Sequence, residues 1–409
     1  MIKQKVLVSA LIVGGLISPL AYATNGMLPI GYGLKTEGMG GAGIALPQDS
    51  LAAATNPAGM VMIGDRIDMG LEWFRPNRTT TVTGGVAAPF NFPTGSYSGN
   101  GKSDFFIPQF GYNKMINADT SLGVSVFGNG GMNTQYNNNP FVFFGGSGPA
   151  GVDLQQLFVS PTWSMKVNPD NAIGVSLNLA YQTFAATGVQ GFSPTGTNVG
   201  HDHSTGYGLR IGWTGKVTPD VTLGATYQTK TKMSKFNKYY WLFPDQGSFD
   251  IPANYGVGVA VKATPATTVA FDVERIQYSG VPTIGNTFSA AQAGLLGTTN
   301  GPGFGWKSIT AYKLGASYDY SPTLTLRAGF DHCDNPIPAS QVTLNILAPG
   351  VVQDHLSLGA TWKLEDKSEI TVAWVHSMNA SVSGPSAFNP ATTIDLKMYQ
   401  DAIGISYGW

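Results

Sequence analysis

Charged residues are scarce in this 409-residue chain. Asp, Glu, Lys and Arg make up 11% of it, whereas an ordinary soluble domain carries about 25%. The formal net charge is −1, so the composition indicates neither a nucleic-acid partner nor an acidic one. A soluble domain of this length would carry more surface charge, and the balance therefore favours a sheet with two kinds of solvent on its two faces.

Cysteine is almost absent, since Cys333 is the single one in the chain. One thiol excludes an intramolecular disulfide. A catalytic thiol is the alternative use, but no Cys–His pattern surrounds this residue. We interpret Cys333 as a small residue of the sheet.

Long apolar runs are missing after residue 23, so no later segment has the length that a transmembrane helix needs. Residues 1–23 have the pattern of a secretory signal peptide: Lys3 and Lys5, an apolar stretch at 6–17, and the A-x-A cleavage site Ala21-Tyr22-Ala23. A retained membrane anchor is the alternative. An exported apolar chain without such helices has one spanning architecture left, the closed β-barrel.

Glycine and aromatic residues are abundant, with 53 glycines and 11% Phe, Trp and Tyr. Glycines are dense in residues 24–65, where the alternation of a long strand is absent. We therefore predict a compact, irregular plug at 24–65, because glycine permits tight backbone. Residues 66–409 are predicted to form the barrel.

Turn-forming residues recur in the barrel region at intervals that suit two strands and one long loop. They separate fourteen predicted antiparallel strands, an even number that places both chain ends and the short turns on one side, the periplasm in bacterial barrels. The predicted strands are 66–83, 104–117, 120–135, 152–167, 172–189, 204–217, 221–236, 252–263, 267–278, 308–320, 323–333, 354–364, 368–381 and 394–409.

Apolar and polar residues alternate along these strands. From residue 207, Tyr207, Leu209 and Ile211 share one face, and Arg210 lies on the other. Such a period of two places one face against lipid and the other in a wet lumen. A soluble sandwich would also alternate, but the regular hairpins and the export signal favour a barrel. The terminal aromatic Trp409 resembles the signal that the barrel-assembly machinery reads.

Two groups of motifs resemble the outer-membrane long-chain fatty acid transporter family, which also includes uptake channels for aromatic hydrocarbons. The first is GMGGAG at 38–43 followed by Asn56-Pro57-Ala58, which matches that family's hatch. The second comprises residues 311–320, 326–331 and 335–339, which look like its closing hairpins. The resemblance covers essentially the whole mature chain. It implies an all-β, fourteen-stranded transmembrane β-barrel with an N-terminal hatch inside, in the outer membrane of a Gram-negative bacterium.

In this family a kink in the third strand opens a lateral gap, through which ligand leaves an interior site. Here that strand contains Gly128, Gly130 and Gly131, and glycines weaken a strand ladder and permit a bend. We predict the gap at these three residues. The alternative is loose backbone near a loop.

Fatty-acid members of the family carry a lumen arginine on the fifth strand, where this chain has Thr183. Strand parity points Arg210, Lys313 and Arg327 into the lumen, where they are tentative substrate ligands alongside Thr183. The alternative is that they balance lumen carboxylates such as Asp272, Glu274 and Asp331. Long-chain fatty acids are the first substrate hypothesis, and neutral or aromatic hydrocarbons are the second.

A loop carries the apolar run Phe141, Phe143 and Phe144, predicted as an outer hydrophobic patch that takes ligand out of water. Packing against the barrel rim is the alternative. Besides hydrophobic solutes, the expected partners are outer-membrane lipid, lipopolysaccharide and the barrel-assembly machinery.

An outer-membrane hydrolase is the rival class, but no nucleophile motif accompanies the five histidines. His201 and His203 are two residues apart in a polar loop, a spacing that is more typical of solvated side chains than of metal ligands. We therefore predict no catalytic residues, no metal and no cofactor.

Overall fold

Fourteen long antiparallel strands form one closed sheet in the computed structural model, which describes residues 25–84, 92–192 and 197–409. Residues 1–23, interpreted as a signal peptide, lie outside this range. The strands are β1 (Arg66–Gly84), β2 (Phe105–Asn117), β3 (Thr120–Tyr136), β4 (Ala150–Asn168), β5 (Asn171–Thr187), β6 (Asp202–Thr218), β7 (Val221–Gln228), β8 (Asn254–Thr264), β9 (Thr267–Ile276), β10 (Ile309–Ser321), β11 (Leu324–Cys333), β12 (Asp354–Lys363), β13 (Glu369–Pro385) and β14 (Thr392–Gly408).

Each strand pairs with its sequence neighbour, and the barrel closes where β1 pairs with β14, from Asp68 opposite Gly408 to Gly84 opposite Thr392. Closure removes the exposed sheet edges that lipid cannot satisfy. Short turns join the strands at one end and long loops join them at the other, as the turn spacing predicted.

Two short strands extend the sheet at the long-loop end. Gly95–Ser98 pairs with β1, and Lys232–Met233 pairs with β6. The predicted seventh strand, 221–236, is therefore interrupted after Gln228. The interruption arises because Thr231 leaves the ladder and exchanges two backbone hydrogen bonds with Ile251, at 3.0 and 3.1 Å.

The helical segments are short and lie before β1 or in the loops. No helix in the described ranges is long and apolar enough to cross a membrane. The α-helical turns are Leu34–Glu37, Pro244–Gly247, Pro282–Gly285 and Val342–Asn345, and the 3₁₀ segments are Ala52–Ala54, Pro57–Met62, Val142–Phe144, Asn237–Tyr239, Tyr278–Gly280, Ala290–Leu295 and Ala339–Gln341.

Strand faces alternate as predicted. Tyr207 is 66% exposed on the outer wall, whereas Arg210 on the inner face of the same strand is 3% exposed. The outer wall carries a belt of large apolar side chains, including Leu209, Ile211 and Phe330. Such a belt suits acyl chains, because burying apolar surface in lipid is favourable.

The core lies inside the barrel rather than between layers. Residues 25–65, which we call the hatch, precede β1, and nearly all their side chains are buried against inward-facing strand residues. The largest apolar cluster joins the start of the hatch at Met27 to loops at the long-loop end, through Trp306, Ile346 and Phe141.

Candidate transport site

Inward-facing glycines make room for the hatch. A Cβ at Gly212 of β6 would lie 1.9 Å from the Asn56 side-chain oxygen, and one at Gly174 of β5 would lie 2.4 Å from the Pro57 carbonyl carbon. Other strands admit hatch backbone in the same way, at Gly111, Gly130, Gly224, Gly315 and Gly329. The glycine content of the barrel thus follows from close backbone approach.

The triplet Asn56-Pro57-Ala58 joins the hatch to the wall. The Asn56 amide donates to the carbonyl oxygens of Ile44, at 2.8 Å, and of Trp213 on β6, at 2.9 Å. Its side-chain oxygen accepts from the Ala58 backbone N–H at 3.1 Å and caps the segment Pro57–Met62. Pro57 suits the first position of that segment, where an N–H would have no helical partner.

Asp272 of β9 is a second anchor for the hatch. One of its carboxylate oxygens accepts the backbone N–H groups of Gly43, at 2.7 Å, and Ile44, at 2.8 Å. Charge-assisted bonds of this kind are stronger than neutral ones. The sequence predicts Asp272 only as a charge-balancing carboxylate, since inward strand parity does not reveal which backbone amides it meets.

Glu37 links the hatch to β1 and β2. Its carboxyl oxygen accepts from Gln109 at 2.8 Å, and Glu72 lies beside it. Burial, reinforced by the neighbouring Glu72 carboxylate, raises the pKa of Glu37 well above its ordinary range. A protonated Glu37 avoids placing two buried negative charges side by side.

The wall is open between β2 and β3. Their ladder runs from Asn117 opposite Thr120 up to Phe110 opposite Val126. Above that pair no ladder contact joins the described residues of β2 and β3, although β2 continues to Phe105 along β1 and β3 continues to Tyr136 along β4. Nearer the loops the wall closes again, where Gln135 exchanges backbone hydrogen bonds with Gly99 and Gly101.

The three glycines singled out in β3 lie along this opening. The register with β4 shifts between Gly128 and Gly130, which makes Asn129 a bulge residue. The Asn129 side chain is fully buried, accepts from the Tyr32 hydroxyl of the hatch at 3.0 Å and donates to Gln156 at 3.1 Å. A bulge bends the strand and re-aims its side chains.

The start of the hatch lies against the opening from within. The Gly131 backbone N–H donates to the Met27 carbonyl oxygen at 3.2 Å, and a Cβ at Gly130 would lie 2.2 Å from that oxygen. A cavity of about 20 Å³ beside Gly131 is lined by Met132, Trp306 and Met398. Its volume suits a single water molecule, so the passage is closed in this conformation.

Lys313 and Arg210 face the lumen as predicted and already have partners. The Lys313 ammonium lies 2.6 Å from a Glu274 carboxylate oxygen. Arg210 donates to Gln228 at 2.7 Å and to Asn254 at 3.2 Å. Both line a second cavity of about 20 Å³, most of whose other lining residues belong to the hatch.

Arg327, also inward-facing as predicted, holds hatch and wall together. It donates to the Gln48 side-chain oxygen at 3.0 Å and to the Thr361 hydroxyl at 2.6 Å. Asp331, its possible partner on the same face, instead lies 2.9 Å from His355, and both of these side chains are fully buried.

Thr183 is not a lumen residue, and its prediction as a substrate ligand is wrong on this point. It lies on the outward face of β5, two residues after the exposed Tyr181. The inward neighbour, Gln182, donates to the Phe249 carbonyl oxygen at 2.8 Å. The family match by position conflicts here with the strand's own period of two, and the period decides which way the side chain points.

Only one of the three phenylalanines predicted as an outer patch is well exposed. Phe143 is 46% exposed, whereas Phe141 is fully buried and Phe144 nearly so. The buried pair belongs to an aromatic cluster at the long-loop end, with ring centroids 4.7 to 6.3 Å apart, that also contains Phe92, Phe192 and Phe388. Phe141 and Phe144 therefore pack against other loops, whereas Phe143 is exposed to solvent.

The two loop histidines have different partners. His201 lies 3.2 Å from Asp153, while the ring of His203 stacks on Tyr181. Within the described residues, no group of three or more His, Cys, Asp or Glu side chains is arranged to hold a metal ion.

A family model described as outer membrane protein transport protein (OMPP1/FadL/TodX) matches residues 31–406. This chain belongs to that family. A search of curated proteins gave no match.

Solved structures share the fold at low sequence identity. The P. putida toluene transporter TodX is 18% identical, with a TM-score of 0.70 over 93% of this chain and 98% of that one. A Pseudomonas aeruginosa FadL homologue is 15% identical, with a TM-score of 0.71 over 94% and 99%. The Ralstonia pickettii toluene transporter TbuX is 19% identical, with a TM-score of 0.63 over 92% and 98%. Family and fold make this protein an outer-membrane channel for hydrophobic compounds.

Proposed function

We propose that the protein takes up hydrophobic compounds passively, holds them inside the barrel and releases them sideways between β2 and β3. The observation that carries this proposal is the ladder that stops at Phe110 and Val126 while both strands continue. A sideways exit delivers an apolar solute directly to lipid.

Apolar side chains mark the route. It begins at Phe143 on the outer surface, passes the buried Phe141 and reaches Trp306 and Met27 within one continuous cluster. Each Å² of ligand surface moved from water to such walls contributes about 25 cal/mol. The route ends at Gly131, beside the opening.

The start of the hatch acts as the gate in this proposal. Because the cavity lined by Gly26 and the one lined by residues 28–32 hold about 20 Å³ each, the solute must displace Met27 and its neighbours before it reaches the opening. Two backbone hydrogen bonds hold Met27, whose carbonyl accepts from Gly131 at 3.2 Å and whose N–H donates to the Tyr278 hydroxyl at 3.0 Å. Both must break in this displacement, while the Asn56 and Asp272 anchors stay in place.

Long-chain fatty acids are the proposed substrates, and buried lumen cations support an acidic head group. Neutral or aromatic hydrocarbons are the alternative, favoured by the aromatic cluster around Phe141. We also propose outer-membrane lipid, lipopolysaccharide and the barrel-assembly machinery as partners.

The test is uptake by cells that produce or lack the protein, with labelled fatty acid and labelled toluene assayed side by side. We expect faster uptake of at least one compound in producing cells. Hydrolysis of an added fatty-acid ester, measured in parallel, would favour the outer-membrane hydrolase instead. Equal uptake with and without the protein would reject the channel function.

A further inference from the structure

Four exposed lysines lie within nine residues after β7, at the long-loop end of the barrel. They are Lys230, Lys232, Lys235 and Lys238, which we call the lysine ridge. The whole chain has only 23 Lys and Arg among 409 residues, so this is a strong local excess of positive charge. The side chain of Lys232 is 70% exposed and that of Lys235 is 45% exposed.

The interruption of the sheet after β7 directs two of these lysines onto the outer wall. Thr231 points inward, where it is fully buried and its backbone bonds to Ile251. Neighbouring residues of an extended chain point to opposite faces, so Lys230 and Lys232 both point outward. In the strand register Lys232 lies opposite Tyr207, whose side chain is 66% exposed on the lipid-facing wall.

Lys230 and Lys232 lie at the upper boundary of the apolar belt. Lys230 comes nine residues after Val221, where β7 begins at the short-turn end. At about 3.3 Å per residue and a tilt of about 40°, this distance is roughly 23 Å, close to the height of about 25 Å of the apolar band in such barrels. The half-exposed rings of Tyr227 and Tyr255 lie just below, opposite each other in the register. Tyrosine is enriched where acyl chains meet head groups.

The ridge carries more positive charge than its neighbours neutralise. The Lys230 ammonium contacts the Gly280 carbonyl oxygen at 3.2 Å, and the Lys238 ammonium contacts the His201 carbonyl oxygen at 2.8 Å. Among the residues that the structure describes, neither ammonium has a carboxylate within ion-pair distance. The other two ridge lysines each have one carboxylate oxygen at 3.3 Å.

The seam between β1 and β14 has the opposite balance at the same height. Arg75, nine residues after Arg66, lies opposite Asp401 in the register and 3.9 Å from Asp104. A single cation there meets two carboxylates. The two sides of the barrel therefore present opposite charge to the same layer of the membrane.

The position of the ridge identifies the partner that fits it. At the top of the apolar belt, the outer leaflet of this membrane presents the phosphates of lipid A, directly above the acyl chains. Phosphate oxygens accept charge-assisted hydrogen bonds from ammonium groups, and basic clusters beside a membrane attract anionic head groups. The tyrosine rings below contact the acyl chains of the same lipid, whereas an acidic soluble protein could not reach rings immersed in lipid.

We propose that Lys230 and Lys232 bind the lipid A phosphates of lipopolysaccharide, and that Lys235 and Lys238 add to the attraction. The proposal rests on the proposed function, of which lipopolysaccharide is one partner, and it names the surface that binds this partner. The bound lipid lies along β6 to β8, several strands away from the opening between β2 and β3. It therefore holds the barrel in the outer leaflet without blocking the exit.

The test measures binding of three lipids to the purified full-length protein in detergent: diphosphoryl lipid A, lipid A without its phosphates, and phosphatidylethanolamine. We expect the wild type to prefer diphosphoryl lipid A. A lysine beside an anionic head group changes affinity by about fivefold, so replacing Lys230 and Lys232 together by Gln should weaken this binding by roughly 25-fold. Binding of the two other lipids should not change. Replacing both lysines by Arg keeps the charge and should retain most of the binding.

The matched control replaces Lys216 and Lys262 together by Gln. Both are exposed at the short-turn end of the barrel, so the control removes the same charge far from the ridge and should bind lipid A as the wild type does. Undiminished binding by the folded Lys230→Gln, Lys232→Gln variant, or equal weakening in the control, overturns the proposal.

Equal binding of phosphorylated and dephosphorylated lipid A by the wild type, or equally tight binding of phosphatidylethanolamine, also overturns it. Uptake of hydrophobic solute, measured in the same variants, should stay at the wild-type level. A wild type that prefers diphosphoryl lipid A but takes up no hydrophobic solute would instead reject the proposed transport function and leave the lipid A surface in place.

Discussion

Met27 and Gly131 join the first described turn of the hatch to the strand beside the wall opening, through one backbone hydrogen bond of 3.2 Å. Gly130 lies directly against the same Met27 carbonyl oxygen, so no larger residue fits there without moving the hatch. The start of the hatch therefore lies in close backbone contact with β3 beside the opening.

Replacing Gly130 and Gly131 together by valine should abolish sideways release. Valine favours a regular strand, so the double variant should straighten the bend in β3 and extend its pairing with β2, while the side chain at 130 pushes the Met27 carbonyl away from the wall. We expect uptake of hydrophobic solute to fall to the level of cells that lack the protein, with normal amounts of folded barrel. Gly294→Val, at an open position in a loop, is the control and should transport normally. Full uptake by a folded double variant would exclude this exit.

Asn56→Ala should weaken the attachment of the hatch to the barrel wall. It removes two hydrogen bonds to backbone carbonyls and one cap, each worth about 1 kcal/mol. We expect lower hydrophobic uptake at unchanged protein level, because the hatch no longer returns to one position. Asn168→Ala removes a comparable cap in an exposed turn that has no contact with the hatch and serves as the control. Identical uptake by both variants would reduce Asn56 to an ordinary turn residue.

Phe143→Asp should slow capture of dilute solute without harming the fold, since this ring is exposed while its neighbours Phe141 and Phe144 are packed. A half-exposed aromatic ring offers about 1 kcal/mol of apolar contact, or roughly fivefold in initial affinity. The measurement is the initial uptake rate at low solute concentration, with Phe143→Leu as the control that keeps an apolar surface. Equal uptake rates for Phe143→Asp and Phe143→Leu would show that the solute first binds at another part of the surface.

Strand parity accounts for most of the correct predictions of which side chains face into the barrel and which face out. A period of two, combined with turn spacing, was enough to place Arg210, Lys313 and Arg327 inside and Tyr207 outside, because neighbouring side chains of a strand must point to opposite faces. The prediction for Thr183 failed because it relied on the position of the lumen arginine in fatty-acid members of the family and disregarded that period.

Contacts between the hatch and the wall were beyond sequence reasoning. Asp272 accepts two amides from residues more than 200 positions earlier in the chain, and Arg78 is held by carbonyls of Lys102 and Asn133. Such pairs depend on how an irregular segment is placed inside a closed barrel, and no local periodicity encodes that placement.

Gly212→Ala tests whether the hatch closes the barrel at the Asn56 contact. A methyl group at this position would lie 1.9 Å from the Asn56 side-chain oxygen, well inside contact distance, and the neighbouring Pro57 ring at 2.9 Å leaves no alternative space. The wall residue cannot retreat, because β6 is bonded to β5 and β7 on either side. The hatch must therefore move away from β6, which opens a path for water and ions along that wall. We expect higher single-channel conductance in planar bilayers than for the wild type, whereas Gly294→Ala, at an open position in a loop, is the control and should keep the wild-type conductance. Wild-type conductance in folded Gly212→Ala would show that the barrel stays closed without this contact.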